Sequence, residues 1–274
     1  MIVVTGASGH LGRLVLAGLR ERLPANEIIA TTRTPDAAAD LGVEVRHADF
    51  DEPATLPAAY AGADTLVLIS SNDVGRRAAQ HKAAIDAAVS AGVRSIVYTS
   101  VLHASNSPLI IAPDHRETEA AIVGSGLTYT ILRNGWYTEN YEQPITIARE
   151  TGTIIGSAGD GRVASATRED YAAAAVAVLT TPGHTNAIYE LAGDTAWTYA
   201  ELADEVAAAF GRPVSYSNLT FEEHTAALRE AGALEVYATF DRDIARGALE
   251  DTSGQLRQLI GRPTTSLAEY LANW

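Results

Sequence analysis

The sequence predicts an α/β protein: a doubly wound, open parallel sheet joined to a smaller, interlocked C-terminal α/β lobe. Three observations carry that expectation. Short apolar, β-branched runs alternate with helical patterns through residue 132. The N-terminal run leads at once into glycines spaced by three. From Arg133 the composition shifts to aromatic rings and amides, and the later strands and helices are shorter. At 274 residues, with 47% hydrophobic side chains, the chain supports one large domain plus a lobe.

Met1–Arg13 is the stretch around which the rest is built. Ile2-Val3-Val4 is a buried-strand candidate, and Leu11, Leu14, Val15, Ala17, Gly18 and Leu19 then recur at helical spacing. Gly6 allows a sharp turn off the strand. Gly9, without a Cβ, lets a pyrophosphate approach the backbone. Gly12 lets the helix lie close to the strand. Strand, glycine turn and helix together are a Rossmann-like dinucleotide-binding start, whose helix N-terminus attracts phosphate charge. The spacing G-x-x-G-x-x-G differs from the G-x-G-x-x-G of simple dehydrogenases. Ser8, His10 and Leu11 lie in the same turn and join the three glycines as candidate cofactor contacts.

Glu27–Thr32 reads as the second strand, ending at Arg33. An NAD site would hold an acid here for the ribose hydroxyls; Thr31, Thr32 and Arg33 supply hydroxyls and a guanidinium instead, which favours NADP without excluding NAD. The competing reading of Arg33 is a solvated surface cation. Val43–His47 is a third strand, followed by Asp49 either beside the adenine or leading the short helix at Leu56–Tyr60. Thr65–Ile69 is continuously apolar, as a central parallel strand should be. Ser70, Ser71, Asn72 and Gly75 follow it, where such sheets bind ligands. Arg76–Ala91 is a helix bearing His81 in its first half and closed by Gly92. Ser95–Thr99 is strand five with Ser100 at its tip, Asp114–Val123 a helix, and Leu127–Leu132 strand six.

RNGWYTENY, Arg133–Tyr141, follows directly. It is read either as a core anchor of the second lobe or as a flat-walled substrate pocket. Thr153–Ile155 is a short strand, and the GSAGDG after it lacks the Lys-Ser/Thr and the following helix of a phosphate loop. Thr167–Asp170 leads an Ala-rich helix at Tyr171–Leu179, and Ala187–Leu191 is a strand that returns to the main sheet. Thr198–Phe210 is a helix with Thr198 and Glu201 in capping positions. Val214–Tyr216, helices at Phe221–Glu230 and about 234–247, and a last helix at Leu267–Leu271 capped within Thr264–Ser266 complete the chain. The expected division is 1–132 and 133–274.

The formal charge of −14 argues against nucleic-acid and anionic-membrane partners, and cysteine is absent. No signal-peptide pattern or bilayer-length apolar run is present, so a cytoplasmic protein is expected. The seven His are scattered, so no metal site is expected. No G-x-S-x-G elbow accompanies Ser100.

TGASGHLG, LVLISSNDVGRRAAQH, YTSVLHASNSPL, ILRNGWYTENY, GDGRVASATREDYAAAA and YELAGDTAW together resemble the NmrA-like branch of atypical short-chain dehydrogenases, and within it the bacterial NADPH:quinone oxidoreductase type 2 and triphenylmethane reductase group. The resemblance covers nearly the whole chain. It implies NADPH as cofactor and a quinone or similar planar aromatic acceptor stacked by the nicotinamide. His81, Ser100 and Arg168 complete the candidate cofactor contacts. The Tyr-x-x-x-Lys pair of ordinary short-chain dehydrogenases is missing: the corresponding stretch is Ile111–His115, with His115 where Lys would stand. Alcohol oxidation is therefore not expected, whereas a quinone needs no strong acid because its ring stabilises the anion formed. Tyr137, Asn134 and His115 are the candidate catalytic residues, and Trp136, Tyr137, Tyr141 and His103 the candidate substrate contacts. Two alternatives stay open: a tailoring reductase for an aromatic polyketide quinone, and an NmrA-type dinucleotide-binding redox sensor without turnover. The oligomeric state is open.

Overall fold

A computed structural model describes residues 1–274. In chain order the elements are β1 (Ile2–Val4), α1 (His10–Arg20), β2 (Ile28–Thr32), β3 (Glu44–His47), α2 (Leu56–Tyr60), β4 (Thr65–Leu68), α3 (Arg77–Ser90), β5 (Ser95–Val101), α4 (Ala112–Gly124) and β6 (Thr128–Asn134). There follow α5 (Glu142–Thr151), β7 (Thr153–Gly156), β8 (Arg162–Val163), α6 (Arg168–Thr180), β9 (Ala187–Leu191), β10 (Trp197–Thr198), α7 (Tyr199–Phe210), β11 (Ser215–Asn218), α8 (Phe221–Glu230), α9 (Val236–Ile244), α10 (Gln255–Ile260) and α11 (Leu267–Ala272).

Two compact units result. The first comprises Met1–Ser105, Ile111–Asn134 and Arg168–Glu190; the second comprises Asn106–Ile110, Gly135–Thr167 and Leu191–Trp274. The chain thus re-enters the first unit after 167 instead of changing once near 132, because α6 packs on α1 and β9 adds to the main sheet.

The first unit is built on a seven-stranded sheet of order β3-β2-β1-β4-β5-β6-β9. Strands β1 to β6 pair in parallel. A sheet covered on both faces needs apolar side chains on both, which is why β2 is buried at every position and β4 reads as an unbroken apolar run. Val3, Leu66, Leu68, Ile96, Tyr98 and Ile131 meet Leu56, Tyr60, Ile85 and Ile122 of the helices on one side. On the other side α1 presents Val15, Leu16 and Leu19. Strands β5 and β6 run longer than their apolar cores suggest, pairing through Ser100↔Arg133 and Val101↔Asn134.

The second unit holds two small sheets, a parallel pair β7/β11 and an antiparallel pair β8/β10. Helices α7, α8 and α11 each begin with a complete capping box: Thr198 with Glu201, Thr220 with Glu223, and Ser266 with Glu269. Thr264 belongs elsewhere; its backbone N–H and hydroxyl exchange hydrogen bonds with Asp194. Helix α5 escapes a sequence reading because Pro144 looks like a breaker, yet it sits in the first helical turn, where no intrahelical N–H is required. No helix is long and apolar enough to cross a membrane.

The tightest backbone approach in the first unit is at Gly12. A Cβ there would lie 2.3 Å from the Gly6 carbonyl oxygen, against 3.2 Å for a Cβ at Gly9. Gly12→Ala is therefore expected to lower stability by about 3 kcal/mol, the upper end of overpacking costs, and Gly9→Ala by far less. Urea unfolding midpoints of the two variants check this; equal midpoints would remove the distinction.

Candidate active site

The glycine turn has the two properties its spacing suggests. Gly6 adopts a left-handed φ of 62°, and its carbonyl accepts the Gly9 N–H at 2.9 Å. Gly9, the N-cap of α1, is exposed and offers no side-chain hydrogen bond, and no acid lies in the first helical turn. The capping boxes of α7, α8 and α11 place carboxylates over their first amides; α1 leaves its positive end open to an external anion. His10 is exposed beside it, Leu11 is buried behind it, and Ser8 shares a hydrogen bond with Thr32 at 2.9 Å between hydroxyls. Arg13 is committed to Asp40.

Arg33 stands exposed just past the end of β2, and no acid is paired with it. Asp49 takes the turn role: its carboxylate accepts the Asp51 N–H at 2.9 Å, and its backbone N–H donates to Thr55. The exit from β4 is clamped amide by amide. Ile69 N–H donates to Thr5 Oγ1 at 3.0 Å, Ser70 N–H to Thr99 Oγ1 at 2.9 Å, and Ser71 N–H to His81 Nε2 at 3.1 Å. Helix α3 also takes the rest of Ser71: its hydroxyl donates to Gln80 Oε1 at 2.7 Å and its carbonyl accepts Arg77 Nε at 2.6 Å. What Ser70–Asn72 can offer a ligand is thus side-chain polarity, with Asn72 exposed. Gly75, at φ 83°, donates its N–H to Asp114 at 2.8 Å.

Two of the candidate histidines lie in the interior. His81 is wholly buried, and its second ring nitrogen lies 3.1 Å from Thr118 Oγ1, so both nitrogens are engaged within the protein. Its observed role is to support Ser71. His115 is buried too, with Nδ1 2.6 Å from the Tyr98 phenol. Burial, assisted by the Arg77 charge, pulls His81 and His115 each from 6.5 to about 3. A neutral, enclosed His115 hydrogen-bonded to Tyr98 is unlike the Lys or Tyr of an ordinary short-chain dehydrogenase. Burial likewise lowers Arg77 and raises Tyr98. Motif spacing carries no signal for Arg77 or for Thr5 and Thr99, whose roles arise only from neighbouring strands.

At the ends of β5 and β6, Arg133 donates to both carboxylate oxygens of Glu119 at 3.0 and 2.7 Å and to Glu190 at 2.7 Å. Ser100, a predicted cofactor contact, is buried and its hydroxyl donates to Glu119 at 2.5 Å, within this network. His103 holds a left-handed φ of 52°, fixed by its N–H donating to Glu190 at 2.8 Å, and its side chain is 41% exposed. Asn134 is buried at the end of β6, its carbonyl accepting the Leu102 N–H. Arg168 is half-buried at the start of α6.

In the second unit the aromatic loop splits into two roles. Ala166 brackets Tyr137: its N–H donates to the Trp136 carbonyl and its carbonyl accepts the Thr138 N–H. Tyr141 is 4% exposed and packs edge-on against Trp197 and Tyr199 at 4.9 and 5.6 Å. This is the packing of a core anchor, the other reading of the loop. Trp136 and Tyr137 are half-buried, and the Trp136 ring lies 4.9 Å from Phe240. The GSAGDG amides are spent internally, Ser157 N–H on Asp241, Ala158 N–H on Tyr216 and Gly159 N–H on Asn218. Ser157, His224 and Asp241 form no nucleophile relay, since Ser157 Oγ and Asp241 both approach the same Nδ1 of His224, at 3.0 and 3.3 Å.

A family model described as NAD(P)H-binding matches residues 6–182. The chain belongs to this NAD(P)H-binding family. Quinone oxidoreductase 2 of Escherichia coli is 47% identical, with 100% of this chain and 98% of the relative covered. The solved structure of the E. coli NADPH-dependent quinone oxidoreductase with NADPH superposes with a TM-score of 0.97, covering 100% of this chain and 99% of the other. Citrobacter sp. triphenylmethane reductase complexed with NADP(H) gives 0.95 at 38% identity, with the same coverage. An NAD(P)H azoreductase of Xenophilus azovorans is 31% identical over 98% of this chain and 96% of its own.

Because both folded histidines lie near 3 and unfolded ones near 6.5, the unfolded state takes up protons that the native state refuses. Stability is full above 6.5 and falls as pH drops towards 3, by about 1.4 kcal/mol per pH unit for each histidine. Denaturation midpoints between pH 7 and 5 check this, and His115→Asn is expected to flatten the slope by about half. A flat profile in the parent protein would mean the rings are not buried neutral.

Proposed function

We infer that this chain is an NADPH-dependent oxidoreductase that transfers a hydride to a quinone or a related planar aromatic acceptor. The observation that carries the reading is whole-length similarity, at 47% identity and a TM-score of 0.97, to an NADPH-dependent quinone oxidoreductase. The residues fit the cofactor: an uncapped helix N-terminus behind a side-chain-free Gly9, and a cation at Arg33 without an acidic partner. When bound, NADPH supplies the hydride.

The chain's own residues then do the remaining work. The α1 N-terminus and Gly9 hold the pyrophosphate, Arg33 takes the 2′-phosphate, and the side chains of Ser70 and Asn72 border the ribose. Half-buried Trp136 and Tyr137 are the candidate acceptor contacts, with Tyr137 the candidate hydrogen-bond donor. No buried acid is needed: two electrons arrive with the hydride, the ring spreads the resulting charge, and the quinolate takes its proton from solvent.

NADPH oxidation with benzo- and naphthoquinones, with NADH in parallel, tests the reading directly; no acceptor-dependent oxidation of either would refute it. Arg33→Ala is expected to raise the KM for NADPH about ten- to a hundredfold, the worth of a charge-assisted contact, and to leave NADH unaffected. Equal losses would remove Arg33 from the phosphate. Gly9→Val is expected to fold and lose both cofactors, read by fluorescence titration.

A further inference from the structure

Two loops of the first unit that are separated by two strands of the sheet are joined through one side chain of α3. The strand order β3-β2-β1-β4 puts β2 and β1 between β3 and β4. The turn after β3, Asp49–Asp51, and the exit of β4, Ser71–Asp73, therefore stand on either side of the glycine turn and Arg33, which follow β1 and β2. Gln80 links them. It is 8% exposed, its Oε1 accepts the Ser71 hydroxyl at 2.7 Å, and its Nε2 donates to Asp51 Oδ1 and to Asp73 Oδ2, each at 3.0 Å. A hydroxyl at one end and two carboxylates at the other fix the orientation of the amide. Asp51 is itself placed by the Asp49 carboxylate, and the Phe50 ring meets His81 edge-on with 6.0 Å between centroids. Arg76 also reaches Asp51 and Asp73, at 2.6 and 3.3 Å, but all three side chains keep contact with water, so those pairs are screened. Gln80 is the buried member of the bridge.

We propose that Gln80 is a positioning residue for the cofactor: by tying the β3 turn to the β4 exit, it sets the width of the groove that receives the adenosine half of NADPH. The proposal rests on the NADPH reading above. The glycine turn takes the pyrophosphate and Arg33 the 2′-phosphate, so the ribose that carries both lies over the exits that the bridge flanks. Without the amide, two carboxylates lose a shared donor and the loops separate. The nucleotide must then order them each time it binds, which lowers its affinity. The nicotinamide lies outside that half, so hydride transfer at saturating cofactor does not depend on the bridge.

The test is Gln80→Leu and Gln80→Glu, assayed with a benzoquinone and either NADPH or reduced nicotinamide mononucleotide, which carries the same hydride and lacks adenosine. Gln80→Glu keeps an acceptor for Ser71 and sets a third negative charge against Asp51 and Asp73. Loss of hydrogen bonds of ordinary strength predicts a rise of about three- to tenfold in KM for NADPH, larger for Gln80→Glu, with kcat and the KM for the mononucleotide unchanged. Calorimetric titration of adenosine 2′,5′-bisphosphate is expected to show the same loss without turnover. Asp51→Asn and Asp73→Asn added to Gln80→Glu return amide donors to the bridge and are expected to recover the affinity. Equal KM rises for both hydride donors overturn the proposal, because Gln80 would then support the fold at large. So do unchanged bisphosphate affinity in both variants and a triple variant no tighter than Gln80→Glu. If the parent protein reduces no quinone, the calorimetric loss still supports the bridge and only the acceptor reading fails. A parent protein that binds neither NADPH nor the bisphosphate refutes the cofactor reading and the bridge with it.

Discussion

Close approach of α1 to the turn that precedes it is the constraint on which the first unit depends. Only a hydrogen at Gly12 lets the helix sit against the Gly6 carbonyl, and only that seat leaves the helix's first amides exposed at Gly9 with no side chain over them. The strand order reverses between β1 and β4. Their two exits, the glycine turn and Ser70–Asn72, therefore lie at the switch of the sheet, where open α/β sheets bind ligands.

The second exit is held from below by a polar interior that is expensive to bury and correspondingly specific. Ser71 loses its amide, carbonyl and hydroxyl to three residues of α3. The arrangement works only while His81 is neutral, because a protonated ring has no lone pair for the Ser71 N–H. Burial enforces that state. The rings and guanidinium under the loop thus act as scaffold, and they link the loop's integrity to pH.

In the second unit the chemistry of one aromatic-rich loop is divided by burial. Tyr141 turns inward to Trp197 and Tyr199, while Trp136 and Tyr137 keep part of their surface. Asp241 does for α9 what His81 does for the β4 exit: a buried polar group ties the element to its neighbours.

Periodicity and glycine placement were enough to determine the first six strands, the helices between them and the dinucleotide turn, because parallel strands buried on both faces and glycines at close approaches leave strong local marks. The position of Arg33 just past a strand end was legible for the same reason. The capping box was legible at α7 through Thr198 and Glu201, three residues apart, whereas at α11 only the capping hydroxyls were. Tertiary structure alone decided the rest. Whether Ser100, His81, His115 and Tyr141 face a ligand or the interior depends on partners 10 to 58 residues away, among them Ser71, Tyr98, Glu119 and Tyr199. A motif records which groups are present. Burial and the hydrogen bonds made across the fold determine which of them remain free to act.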